Sequence, residues 1–179
     1  MINVAAYSTG RKDTTELVKL ITSGLNHLPH VNIHFIDISD FKSNGLNKCF
    51  DCHIFLGILR GTGDLYRECN ENGIDFIYID HAYFRPGYKF GWLRLTKNHH
   101  TMSVMGNSTK ERYEKFFARD YPFRAWRLQS DTKDPILILP PTNAIKWMFD
   151  VKDWVDSVSK QLRLYTNREI IIRSKPNEP

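Results

Sequence analysis

The chain has 179 residues, 41% of them hydrophobic, 25% charged and 13% aromatic, which suffices to bury a core and excludes disordered and fibrous classes. Its 25 Lys plus Arg against 20 Asp plus Glu give a formal charge of +5, a bias toward anionic partners such as nucleotides, phosphorylated sugars or nucleic acid that chooses none of them. No stretch reaches the ~18 consecutive apolar residues of a membrane-spanning helix. The amino terminus has neither a basic n-region nor a cleavable h-region, so the expectation is a cytoplasmic protein with no membrane partner.

In chain order, a short apolar run at 2–7 predicts a strand, the polar turn 8–13 a loop, and Leu17, Leu20, Ile21, Leu25 and Leu28 a helix over 14–28 capped by Asp13 or Thr14. Residues 31–38 and 52–59 read as a second and third strand, apolar enough to suit a parallel sheet covered on both faces. A helix over 63–72 ends at Gly73, and a fourth strand covers 74–79. Strands alternating with helices imply an open twisted sheet with ligands at the carboxyl ends of its strands. Residues 80–100 follow, too long for an ordinary connector and rich in rings and cations, with 92–96 able to form a strand.

A charged helix is expected over 108–120, and 129–135 reads as a polar linker. A fresh β-α-β unit begins there, with a strand at 136–139, a long helix over 144–164 and a strand at 169–172. Trp147, Phe149, Val151, Trp154, Val155, Val158 and Leu162 mark the core face of that helix. The fold class is therefore α/β: a Rossmann-like parallel sheet with flanking helices over 1–128, the linker 129–135, and the start of a second Rossmann-like β-α-β unit over 136–179. The unpaired strand at 169–172 offers an edge for dimerisation, and oligomeric state is left open.

Several constellations carry chemistry. The turn Gly57-Ile58-Leu59-Arg60-Gly61-Thr62-Gly63 runs from strand to helix, so backbone N–H groups and Arg60 can receive a phosphate or a sugar hydroxyl. It is neither a Walker A motif nor the dinucleotide fingerprint, and the competing reading is glycine relieving steric crowding in a turn. Asp80 and His81 sit just past a predicted strand, where a carboxylate or imidazole can accept a proton from an attacking hydroxyl; the competing reading makes Asp80 a structural acceptor of backbone N–H bonds. Tyr83, Phe84, Arg85, Lys89, Trp92 and Arg94 interleave flat rings with fixed cations, which suits bases, sugar faces and phosphates and equally suits a packed loop with solvated charges. Asn98 bonds a hydroxyl or caps a turn. Cys49 and Cys52 form a single CxxC whose neighbour His53 does not complete a zinc set, and adjacent His99 and His100 point in different directions, so no metal is expected.

The segments 55–61, 78–84, 92–98 and 136–141 resemble the glycosyltransferase-like proteins of the GT-B superfamily common in tailed phages. The pattern is a glycine-containing turn (Gly57, Arg60, Gly61), an Asp followed by an aromatic pair (Asp80, Tyr83, Phe84), and an aromatic-Arg-x-Thr-x-Asn run (Trp92, Arg94, Thr96, Asn98). The later block resembles the opening of the GT-B carboxyl-terminal domain, through Pro140-Pro141, Trp147, Trp154 and Arg173-Ser174-Lys175-Pro176; the remaining strands and helices of that domain are absent from the sequence.

The resemblance implies transfer of a sugar from a nucleotide-diphosphate donor to an acceptor hydroxyl, on a glycan, a small metabolite or modified phage DNA. Asp80 or His81 would act as base, and Gly57, Arg60, Gly61, Tyr83, Phe84, Arg85, Trp92, Arg94 and Asn98 would contact substrate. Arg173 and Lys175 would hold the donor diphosphate. The nucleotide sugar would be a co-substrate, with no tightly bound cofactor. The alternatives are a non-catalytic nucleic-acid or nucleotide-binding domain, or a truncated inactive relative.

Overall fold

A computed structural model describes residues 1–82, 91–101, 110–123 and 134–175. The chain divides into two compact units, Met1–Pro122 and Phe123–Pro179.

In the first unit β1 (Ile2–Ser8) leads through α1 (Lys12–Ser23) and a 3-10 turn (Gly24–His27) to β2 (Val31–Asp37). The chain continues through α2 (Ile38–Asn44), β3 (Cys52–Leu56), α3 (Thr62–Glu71), β4 (Asp75–His81), β5 (Leu93–Lys97) and α4 (Lys110–Phe116). The strands form one sheet in the order β2-β1-β3-β4-β5. The first four are parallel and β5 runs antiparallel to β4. This is a mixed, mostly parallel α/β sheet flanked by helices, consistent with the Rossmann-like expectation.

The period of two along each strand sorts the core into two faces. On one, Val4, Ala6, Ile54, Leu56 and Ile79 pack with Leu17 and Val18 of α1. On the other, rings dominate. Phe55 lies 5.5 Å from Phe76 and Tyr66 of α3 lies 5.1 Å from Phe76, both centroid to centroid, while Tyr7 meets Phe41 of α2. Phe55, Phe76, Tyr78, Leu65 and Ile79 are almost wholly buried.

Several expectations change here. β2 is parallel as expected, yet it is an edge strand, and Phe35 is 49% exposed because only β1 pairs with it. α2 has no counterpart in the sequence reading; Asp37 caps it, its carboxylate accepting from the Ser39 N–H at 2.9 Å. The helix expected over 14–28 begins at Lys12 and tightens at Gly24. β4 extends to His81, so Asp80 and His81 are its last two residues, paired across the ladder with Arg94 and Leu93, rather than loop residues beyond it.

The second unit holds β6 (Ile136–Ile138), α5 (Asn143–Met148), α6 (Trp154–Arg163) and β7 (Ile170–Ile172), with β6 and β7 paired in parallel. This is the expected β-α-β unit with a broken helix. Asp150 adopts φ +48°, the Val151 N–H bonds the Lys146 carbonyl at 2.9 Å, and the chain leaves α5 by a Schellman-type turn before α6 begins. The break rotates the proposed apolar stripe. Met148 is the buried residue of α5, whereas Trp147 and Phe149 are nearly half exposed. The linker stretch 129–133 lies outside the described residues.

No helix among the described residues is long and apolar enough to cross a membrane.

Candidate functional site

The sheet order places a reversal of strand order between the parallel neighbours β1 and β3. From β1 the chain crosses out to β2, then returns to the other side of β1 as β3. The loops leaving the carboxyl ends of β1 and β3 therefore diverge, and open α/β sheets bind ligands in the crevice such divergence creates. Residues 9–11 and 57–61 are those loops.

The loop after β3 turns sharply. Gly57 (φ +67°), Arg60 (φ +68°) and Gly61 (φ +105°) all occupy the left-handed region. Glycine enters it freely, whereas Arg60 does so at a cost of order 1–2 kcal/mol. Glycine at 61 has a second reason: a Cβ there would overlap Lys42 Cε and stand 3.3 Å from Ile38 Cγ1. Thr62 is buried and its hydroxyl donates to the Leu59 carbonyl, 2.7 Å away, which closes the turn as α3 starts. Arg60 itself is exposed. The Gly57 N–H donates to the Ile79 carbonyl at 2.8 Å, which seats this turn against the end of β4 beside Asp80.

Asp80 is held from three directions. Its Oδ2 accepts from the Tyr78 hydroxyl at 3.0 Å and from Arg94 Nη2 at 3.3 Å, and its Oδ1 accepts from the His81 N–H at 2.7 Å. The Asp80 and Arg94 side chains are only 27% and 14% exposed, so this ion pair is weakly screened. The Tyr78 ring is fully buried, and burial, with the Asp80 charge beside it, pushes its phenol far above the ordinary range. His100 packs 5.0 Å from the Tyr78 ring, and burial followed by the Arg94 charge lowers its pKa. The imidazole of His100 is thereby favoured in its neutral form next to a fixed cation and a fixed carboxylate.

The structure thus brings Gly57, Arg60, Gly61, Asp80, His81 and Arg94 to one end of the sheet. Tyr78 and His100 join them and were missed by sequence reasoning. Tyr78 was legible in principle, because residues two apart on a strand share a face; the ring of His100 arrives only through the turn after β5. Asn98 serves the hairpin instead: at φ +58° its Oδ1 accepts from the Phe76 N–H at 2.8 Å and its Nδ2 donates to Asp75 at 2.7 Å. Trp92 packs against Phe116 and Phe117 with ring centroids 5.8 and 5.2 Å away, and it is 37% exposed. Tyr83, Phe84 and Arg85, with Lys89, lie outside the described residues. Arg173 and Lys175 follow β7 in the second unit, both exposed, with the Arg173 N–H donating to the Ile138 carbonyl at 2.9 Å.

Among the described residues no group of three or more His, Cys, Asp or Glu side chains could hold a metal ion. Cys49, Cys52 and Cys69 are free thiols, and burial pushes Cys69 up to about 12. No protein-family model matches the chain, and no curated protein matches it either.

Proposed function

We propose that the chain is a sugar-transferring protein of the GT-B kind, using a nucleotide-diphosphate sugar as co-substrate and an acceptor hydroxyl as nucleophile. The observation that supports this reading is the shared edge: a left-handed Gly57–Gly61 turn and the Asp80–Tyr78–Arg94 cluster stand at the carboxyl ends of adjacent parallel strands. In the reaction the acceptor oxygen attacks the anomeric carbon, the bond from that carbon to the diphosphate breaks, and the hydroxyl proton passes to Asp80 or His81. Arg60 meets negative charge in the first unit, and Arg173 and Lys175 do so in the second.

The test is a calorimetric panel of nucleoside diphosphates and their sugars against the whole chain, with a short oligonucleotide as competitor. Binding of one nucleotide sugar, weakened by Arg173→Ala or Lys175→Ala, supports the reading. Asp80→Asn should then cost about 10²–10⁴ in turnover while leaving donor affinity unchanged. Oligonucleotide binding that falls steeply with salt, without nucleotide binding, would overturn it in favour of a nucleic-acid-binding domain.

A further inference from the structure

The aromatic face of the sheet encloses a group that sugar transfer does not use. His53, on β3, has no solvent exposure. Its ring stacks on Tyr7 at 5.7 Å with 16° between planes and meets the edge of Phe50 at 6.0 Å. Nδ1 lies 3.1 Å from the Tyr7 hydroxyl, and Nε2 has no hydrogen-bond partner. The cross-strand neighbours are Ala5 on β1 and Phe76 on β4, both apolar.

Among the described residues no carboxylate is hydrogen-bonded to His53, and the acidic group beside this cluster, Glu68 of α3, accepts from the Leu46 N–H at 3.3 Å. Of the titratable groups around it, Tyr7 comes from β1, and Cys69 and Glu68, which both bear on Tyr7, come from α3. Burial holds the Tyr7 phenol and the Cys69 thiol protonated, so both are uncharged in acid. From β2 comes His34, whose ring lies 5.2 Å from that of Phe50. The Asp51 carboxylate in the turn before β3 is occupied by the Asn3 N–H at 2.7 Å. A proton added to the imidazole would therefore place a cation among rings with one neutral partner, and an unpaired buried charge is among the costliest arrangements in a core.

We propose that His53 is an acid-sensitive pin of this face: as a neutral ring it locks β3 to β1 and to the Phe50 turn, and its protonation in mildly acidic solution opens that packing. The direction agrees with burial lowering its pKa from 6.5 to about 4. Because the folded value is the depressed one, the unfolded chain takes up the proton first. Stability is then complete above about pH 6.5 and declines as pH falls toward 4, at up to tenfold in the unfolding constant per pH unit.

The experiment is urea unfolding of the full chain from about pH 7.5 to about pH 4.5, for wild type, His53→Phe, and the double variant Tyr7→Phe/His53→Phe, which leaves no orphaned hydroxyl. Carboxylate titration is common to all three and cancels in the comparison. The wild-type unfolding constant should rise by about 100-fold more than that of the variants over this window. Parallel pH profiles in wild type and both variants would overturn the proposal. A histidine-labelled NMR titration of wild type gives a readout that needs no variant to fold: one imidazole should stay neutral to about pH 5 and titrate only as native signals are lost. Ordinary titration of all seven histidines with the native spectrum intact would equally overturn it.

Discussion

The first unit's five-stranded sheet, parallel but for β5, and the second unit's two-stranded parallel sheet are both built from β-α-β crossovers, yet they bury very different amounts of apolar surface. In the first, β1, β3 and β4 each have a neighbour on both sides and a cover on both faces, and rings such as Phe55 and Tyr78 reach zero exposure. In the second, each strand is an edge, and the buried apolar residues among those described are Ile138 and Met148. Leu137, Leu139, Ile171 and Ile172 stay between 41% and 62% exposed. A parallel sheet gains its stability from cover on both faces, so the same local pattern produces a deep core only where several strands accumulate.

That contrast can be broken or sharpened by substitution. The largest effect is expected from Phe55→Ala, which removes a fully buried ring between Phe76 and Tyr78 and should cost about 3–5 kcal/mol in chemical denaturation with an unchanged m-value. Gly61→Ala comes next, at about 1–3 kcal/mol, because it forces a Cβ into the left-handed region and against Lys42 and Ile38; a neutral result would remove the steric account of the β3–α3 turn.

Asp37→Ala should cost about 1 kcal/mol near neutral pH by uncapping α2. The Ser39 N–H and hydroxyl hold the Asp37 carboxyl below its ordinary value. Its contribution is therefore present above about pH 4 and lost as pH falls through the depressed folded value, so wild type and variant should converge in strong acid. The smallest effect is expected from Leu137→Ala in the second unit, within about 0.5 kcal/mol, since the residue is 52% exposed; a cost comparable to Phe55→Ala would mean that the second unit packs more deeply than its burial pattern implies.

Much of the first unit was readable because its period is strong. Leu17 and Leu20–Ile21 at helical spacing, and the continuous runs at 2–7 and 52–59, placed α1, β1 and β3 to within a few residues, β3 stopping at Leu56. α2 escaped because seven residues carry too little periodicity, although Asp37 followed by Asp40 at the third helical position was a cap signal of the right form. The 144–164 helix was drawn too long because its apolar stripe runs on through Asp150, where a single left-handed residue resets the phase. At the candidate site, Gly57, Gly61 and Asp80 were legible from type and spacing. The Asp80–Arg94 partnership was not, since it depends on the antiparallel pairing of β5 with β4.

By itself the sequence determined the α/β class, the alternation of elements, the second β-α-β unit and the glycines of the β3–α3 turn, because these rest on local periodicity and on backbone conformations few residues tolerate. Tertiary structure alone decided that β2 is an edge, that β5 runs antiparallel, that Asp80 carries an ion pair and that His53 is sealed without a partner for Nε2. Each of these depends on which distant strand lies alongside, and strand order is fixed by global packing rather than by any stretch of neighbouring residues.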